Sequence, residues 1–264
     1  MGGWQTQSGS GVRFEWGPAG AARLAKEAAC LAVVDVLSFT TAVSIAVEKD
    51  IRVLPFWWPA SGASDTEHAA AAMAAEAYAR QSGARLAAGR GSITPATPWS
   101  LSPAHLRAAP FVARLVLPSP NGASIAAATP REAPLVAACL RNVTAVGTWL
   151  TSHGYGTLAR PIAVIAAGEQ WPDGRLRPAL EDLLGAGALI SDLHSQSVGP
   201  LSAEAAAVKA AYDGTADLAR AIANGASGRQ LTELGFVQDL AIATEEDACP
   251  LVPVRDGDGA FARG

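Results

Sequence analysis

Residues 31–41 read LAVVDVLSFTT: a short apolar run, one carboxylate at Asp35, two more apolar residues, then the hydroxyls of Ser38, Thr40 and Thr41. An apolar run of this length, followed by a segment with helical spacing, SFTTAVSIAVEKD, and by a second apolar run from Ile51 to Phe56, spells a strand, a helix and a strand. Such a unit joins parallel strands, here expected over about Cys30–Leu37 and Ile51–Phe56. It places Asp35 near the carboxyl end of the first strand, beside a helix start, where open α/β sheets gather their ligands.

The same alternation continues outward. Ser64 and Glu67 have capping-box spacing ahead of an alanine-rich helix running to about Gln81. Arg114–Leu117 and Ile162–Ala167 read as buried strands, each leading through a turn into a helix. Further helices are expected over about Val143–His153, Ala203–Asn224 and Gly228–Leu234. The implied fold class is α/β, a three-layer α/β/α arrangement with a mainly parallel or mixed sheet. One domain is expected over residues 13–255, with flexible ends at 1–12 and 256–264. The aperiodic segment Gly91–Pro110 reads either as a loop crossing a site or as a linker.

Half of the 264 residues are hydrophobic and 17% are charged, enough for a sizeable core. The net charge of -4, with no dense Lys/Arg block, argues against nucleic acid or an anionic membrane surface as partner. No apolar run approaches the ~20 residues that span a bilayer, and the first residues lack the apolar core of a signal peptide. A cytoplasmic location is therefore expected. Cys30, Cys139 and Cys249 are widely spaced and read as buried, reduced thiols. Homo-oligomerisation is left open.

Three stretches could carry chemistry. Asp35 is either a structural carboxylate at a helix start or a ligand for a hard cation such as Mg2+, which needs only one or two carboxylates. Glu181 and Asp182 open another predicted helix; they are either a solvated acidic first turn or site carboxylates aimed inward by the small-residue face LLGAGALI. Asn121-Gly122 is either a plain turn or an anion nest, with Ser119 and Asn121 donating to phosphate oxygens. Arg90, between glycines, could reach an anion pocket. No G-x-S-x-G elbow, phosphate-binding G-x-x-x-x-G-K-S/T loop, H-E-x-x-H pair or G-x-G-x-x-G fingerprint occurs.

In order along the chain, VVDVLSFTTAV, SPNGASIA, CLRNVTAV, IAVIAAGE, ALEDLLGAGALI and LTELGFVQDLAIATEEDACPLVPV resemble the 2-phosphosulfolactate phosphatase (ComB) family over about Val12–Val254. The resemblance implies a Mg2+-dependent phosphatase, hydrolysing 2-phosphosulfolactate to 3-sulfolactate and phosphate. It implies site positions at Asp35, Thr40, Thr41, Asn121, Gly122, Asn142, Glu181, Asp182 and Asp239. The expected assignment follows. Asp35, Glu181 and Asp182 are catalytic and metal-binding. Ser38, Thr40, Thr41, Arg90, Ser119, Asn121, Gly122 and Asn142 bind a small phosphorylated acid. The chain departs from the family pattern at Ser38, where many members carry arginine, and at Gly89, Leu101 and Ala123. The alternative is a diverged member that binds a phosphorylated or acidic metabolite without hydrolysing it.

Overall fold

The computed structural model describes residues 3–59 and 62–264. In chain order, β1 (Val12–Trp16) leads into α1 (Gly17–Leu24), and β2 (Cys30–Val34) into α2 (Phe39–Glu48). Next come β3 (Arg52–Trp57), α3 (Asp65–Gln81), β4 (Arg85–Leu86), α4 (Pro103–Ala108), β5 (Arg114–Ser119), α5 (Gly122–Ala128), β6 (Leu135–Ala138) and α6 (Val143–Ser152). After β7 (Ile162–Ala166), a two-stranded ribbon of β8 (Glu169–Gln170) and β9 (Leu176–Arg177) precedes α7 (Leu180–Ser195). The chain closes with α8 (Ala203–Asp213), α9 (Leu218–Asn224), α10 (Ala226–Glu233), α11 (Val237–Ala243), β10 (Pro253–Arg255) and β11 (Phe261–Arg263).

The main sheet has nine strands in the order β1-β7-β2-β6-β10-β11-β3-β5-β4. β1, β7, β2 and β6 are mutually parallel, and so are β3, β5 and β4; the antiparallel hairpin β10–β11 joins the two sets. Three antiparallel steps put the two sets in opposite senses, so β2 and β3 are not the parallel strands expected of the strand, helix, strand unit. The segments that follow β2 and β5 nevertheless meet, the Gly122 amide donating to Asp35.

The three layers are visible in β2 itself. Cys30, Ala32 and Val34 pack in one core with residues of α6, α7 and α8, while Leu31 and Val33 pack in another with α1, α2 and α5. A strand covered on both faces must be apolar throughout, which is why LAVV shows no alternation. Among the described residues, no helix is long and apolar enough to cross a membrane.

Several expectations are corrected. The strand through Asp35 ends at Val34, so Asp35 to Leu37 form the turn into α2. The helix expected over 203–224 is two, α8 and α9, separated by Gly214 to Asp217. The tail from Asp256 is not loose: β11 lies inside the sheet, and its Phe261 is fully buried opposite Val53. At the other end, residues 3–6 form a 3-10 helix, and buried Gln7 exchanges hydrogen bonds with the Phe14 backbone. Met1 and Gly2 lie outside the described residues. The three cysteines are buried and unpaired.

Candidate active site

The turn after β2 is built around Asp35. The Thr40 hydroxyl donates to the Asp35 carbonyl at 2.7 Å and accepts from its amide at 2.9 Å. That leaves the carboxylate to the starts of two helices. Its Oδ1 accepts from the Phe39 amide at 3.0 Å, where α2 begins, and its Oδ2 from the Gly122 amide at 2.8 Å, where α5 begins. The approach is close because position 122 lacks a side chain. A Cβ there would run into the Phe39 ring and lie 2.8 Å from Asp35 Oδ2.

Asp182 makes a parallel arrangement one strand away. Its Oδ1 accepts from Val36 N at 2.7 Å and its Oδ2 from Gly168 N at 2.8 Å, tying the ends of β2 and β7 to the first turn of α7. The small residues behind it make this possible. A Cβ on Gly185 would lie 2.6 Å from Val36, and one on Gly187 2.7 Å from the Val208 carbonyl. The close packing expected of LLGAGALI is therefore present, and both Glu181 and Asp182 are buried.

Glu181 differs from its neighbour: its Oε2 is buried without a hydrogen-bond partner. Sequence reasoning missed a fourth carboxylate, Glu169, whose Oε2 accepts from the Asn121 side-chain amide at 2.9 Å. Desolvation dominates the electrostatics here. Burial pushes the Asp35 carboxyl up to about 6, opposed by its two amide bonds and reinforced by the charge on Glu181. Burial likewise raises Glu169 to about 7, reinforced by Asp35, and holds Asp182 well above the usual carboxylate range, with Asp35 and Glu181 adding to the effect.

A pocket of ≈ 290 Å3 opens beside this cluster, lined by Asp35, Ser38, Arg90, Ser119, Asn121 and Glu169; Glu181 and Asp182 are not on its wall. Arg90 Nη2 donates to Ser38 Oγ, its Nε lies 3.5 Å from Asp239 Oδ2, and its guanidinium carbon sits 5.7 Å from the Phe236 ring centroid. A cation from a different part of the chain thus reaches the Ser38 hydroxyl. Asp239 is itself fixed, its Oδ1 accepting from Ser102 Oγ at 2.5 Å and Ala104 N at 3.1 Å. The segment Gly91–Pro110 therefore crosses the site: Leu101 lines the pocket, and Ser102 caps α4.

Three expected substrate contacts are corrected. Thr40 is spent bracing Asp35, as described. Thr41 is fully buried and donates to the Val36 carbonyl at 2.8 Å. Asn142 is fully buried too, its amide bonded to Ala137 O at 3.2 Å and its Oδ1 to Cys139 N at 2.9 Å. The anion nest expected at Asn121-Gly122 already holds an anion of the chain's own: the Gly122 amide serves Asp35, and the Asn121 amide serves Glu169.

The donor set suits a hard divalent cation. Among the described residues, no group of three or more His, Cys, Asp or Glu side chains forms a ready metal cage. Mg2+ asks for less, since one or two carboxylates with water and substrate oxygens complete its shell. Mutually repelling buried carboxylates, one with an orphaned oxygen, outnumber the cations near them, Arg90 and Arg177.

A comparison with known families returns a match to the model described as 2-phosphosulpholactate phosphatase, over residues 20–258. No curated protein matches the chain. The chain belongs to the 2-phosphosulpholactate phosphatase family, a family of phosphoric monoester hydrolases.

Proposed function

We propose that the chain hydrolyses a small phosphate monoester in the Asp35 pocket, assisted by Mg2+ held by Glu181 and Asp35. The family's name makes 2-phosphosulfolactate, cleaved to 3-sulfolactate and phosphate, the first ester to test. The observation that carries the reading is the buried, unpartnered Oε2 of Glu181 among carboxylates that outnumber the cations near them. Bound there, Mg2+ would supply Lewis-acid polarisation of a phosphate oxygen.

The protein's own groups have distinct tasks. Arg90, held by Ser38 and Asp239, faces the pocket and stabilises negative charge on the transferred phosphoryl group. Glu169 lies on the pocket wall, positioned by Asn121, and takes the proton from the attacking water. Asp182 has each oxygen on a backbone amide and, unlike Asp35, does not line the pocket; it positions the β2 and β7 ends instead of contacting substrate.

The test is phosphate release from 2-phosphosulfolactate and other monoesters, with Mg2+ and with chelator, for the native protein and Glu181→Gln. Activity that needs Mg2+ and collapses in the variant supports the reading; metal-independent activity equal in both proteins overturns it. A second reading, retention of a phosphorylated metabolite without hydrolysis, is favoured by the spent donors of Gly122 and Asn121. Tight phosphate-ester binding without phosphate release would establish it.

A further inference from the structure

A second cavity, of ≈ 420 Å3, adjoins the acidic pocket and shares Arg90, Leu101 and Pro120 with it. Its character is different. Trp58, Leu86, Ala87, Ala88 and Pro118 supply apolar wall, Ala72 and Glu76 come from α3, and Ser92 adds one hydroxyl. Arg90 is the one cation among the described residues lining it, and that guanidinium is already engaged with Ser38 and Asp239. Glu76 adds a negative charge, with Arg80 3.7 Å from its carboxylate as an exposed partner on the same helix.

This wall suits one kind of leaving group. A sulfonate or carboxylate placed here would give up hydration without finding a free cation, and would meet Glu76. An apolar group would remove hydrocarbon and ring surface from water and be held by contact alone. Resting on the phosphatase reading above, we propose that the substrate is the phosphate ester of an apolar alcohol. Its phosphoryl group lies in the Asp35 pocket and its aryl or alkyl part in the Trp58–Leu101 cavity. The reaction class is unchanged: water adds to phosphorus, the ester P–O bond breaks, and the alkoxide leaves as the alcohol after taking up a proton.

Non-hydrolysable phosphonates test the cavity independently of turnover. Binding of methylphosphonate, phenylphosphonate and 3-phosphonopropionate is measured calorimetrically with Mg2+, on the native protein and on Ala72→Phe, which fills the cavity from α3 outside the catalytic groups. The phenyl compound is expected to bind at least about tenfold tighter than the methyl one, since a single methylene in an apolar pocket can be worth that much. Ala72→Phe should erase the difference while leaving methylphosphonate binding unchanged, which also shows that the variant is folded. Equal binding of methyl and phenyl compounds, tighter binding of the carboxylated one, or a preference that survives Ala72→Phe overturns the proposal. Phenylphosphonate bound in the expected order, but phenyl phosphate left uncleaved, would instead sink the phosphatase reading and keep the cavity assignment.

Discussion

Two clusters of acids sit within this fold and behave in opposite ways. Around Asp35 the carboxylates outnumber nearby cations, and burial drives Asp35, Glu169 and Asp182 upward. Around Arg141 the charges interlock. Buried Arg141 reaches Glu48 and Glu245, each at 2.9 Å, and Ser44 at 2.9 Å, while Arg107 grips Glu245 through both guanidinium nitrogens at 2.8 and 2.7 Å. Hydrogen bonds from Arg107 pull Glu245 down to about 2, despite its partial burial. The second cluster cancels its own charge and so serves to hold α2, α4 and the end of α11 together. The first leaves its acids crowded and desolvated, only partly offset by Arg90, which costs stability and raises the pH at which they give up their protons.

Exchanging single groups should separate the two roles. The largest effect is expected from Glu181→Gln, an isosteric change that removes the orphaned charge. Phosphate release should fall by about 10²–10⁴-fold, the range for losing a group that takes part in the chemistry. The melting temperature of the metal-free variant should hold or rise, because one repelling charge is gone. A variant that melts lower but keeps native activity would show that Glu181 belongs with the structural acids. Arg141→Met makes the opposite cut. It should cost about 3 kcal/mol in denaturant unfolding, the low end for breaking a buried ion pair, since Glu48 and Glu245 keep some water. Activity per folded molecule should not change.

The difference between the clusters also marks how far the sequence could be read. LAVVDVLSFTT, the Ser64 capping box and LLGAGALI were legible because each states its structure locally, by apolar runs, cap spacing or small residues on one helix face. β11 was not, because AFAR is too short to signal a strand; its burial comes from β3, far away in sequence, and from β10, a hairpin partner as short as itself. The site divides likewise. Asp35, Glu181 and Asp182 stand at predicted element ends and could be named from position. Glu169 could not: its importance arises from Asn121 and Asp35, and only folding brings these together. Thr41 was expected at the site from its place after a strand end, and Asn142 from the family resemblance alone. Their side chains instead satisfy backbone groups of the buried turns.

The pH dependence of stability should run in opposite directions for the two clusters. Asp35 and Glu169 titrate at about 6 and about 7 when folded, against ordinary values of 3.8 and 4.5. Between these limits the folded protein binds more protons than the unfolded chain, so metal-free stability falls as pH rises from 5 to 8. Mg2+ competes with those protons, so its stabilisation should grow over the same interval. Melting temperatures at pH 5 and pH 8, with Mg2+ and with chelator, check both signs. A Mg2+ effect that is absent, or equal at the two values, would remove the cation from the pocket.

The smallest effect tests the paired cluster. Glu245 is held at about 2 against an ordinary 4.5, so its ion pairs stabilise the fold fully above 4.5 and are lost as pH falls toward 2. Because Glu245 is partly exposed, solvent screening reduces the contribution to about 1 kcal/mol. Glu245→Gln should therefore be less stable than the native protein by about that amount at pH 7 and equal to it near pH 2, as read by urea midpoints. Stabilisation lost on acidification is what a neutralised pair predicts, and stabilisation lost on alkalinisation is what crowded carboxylates predict. If Glu245→Gln instead gained stability at pH 7, its arginines would be failing to offset its burial, and the contrast between a structural and a functional acid cluster would collapse.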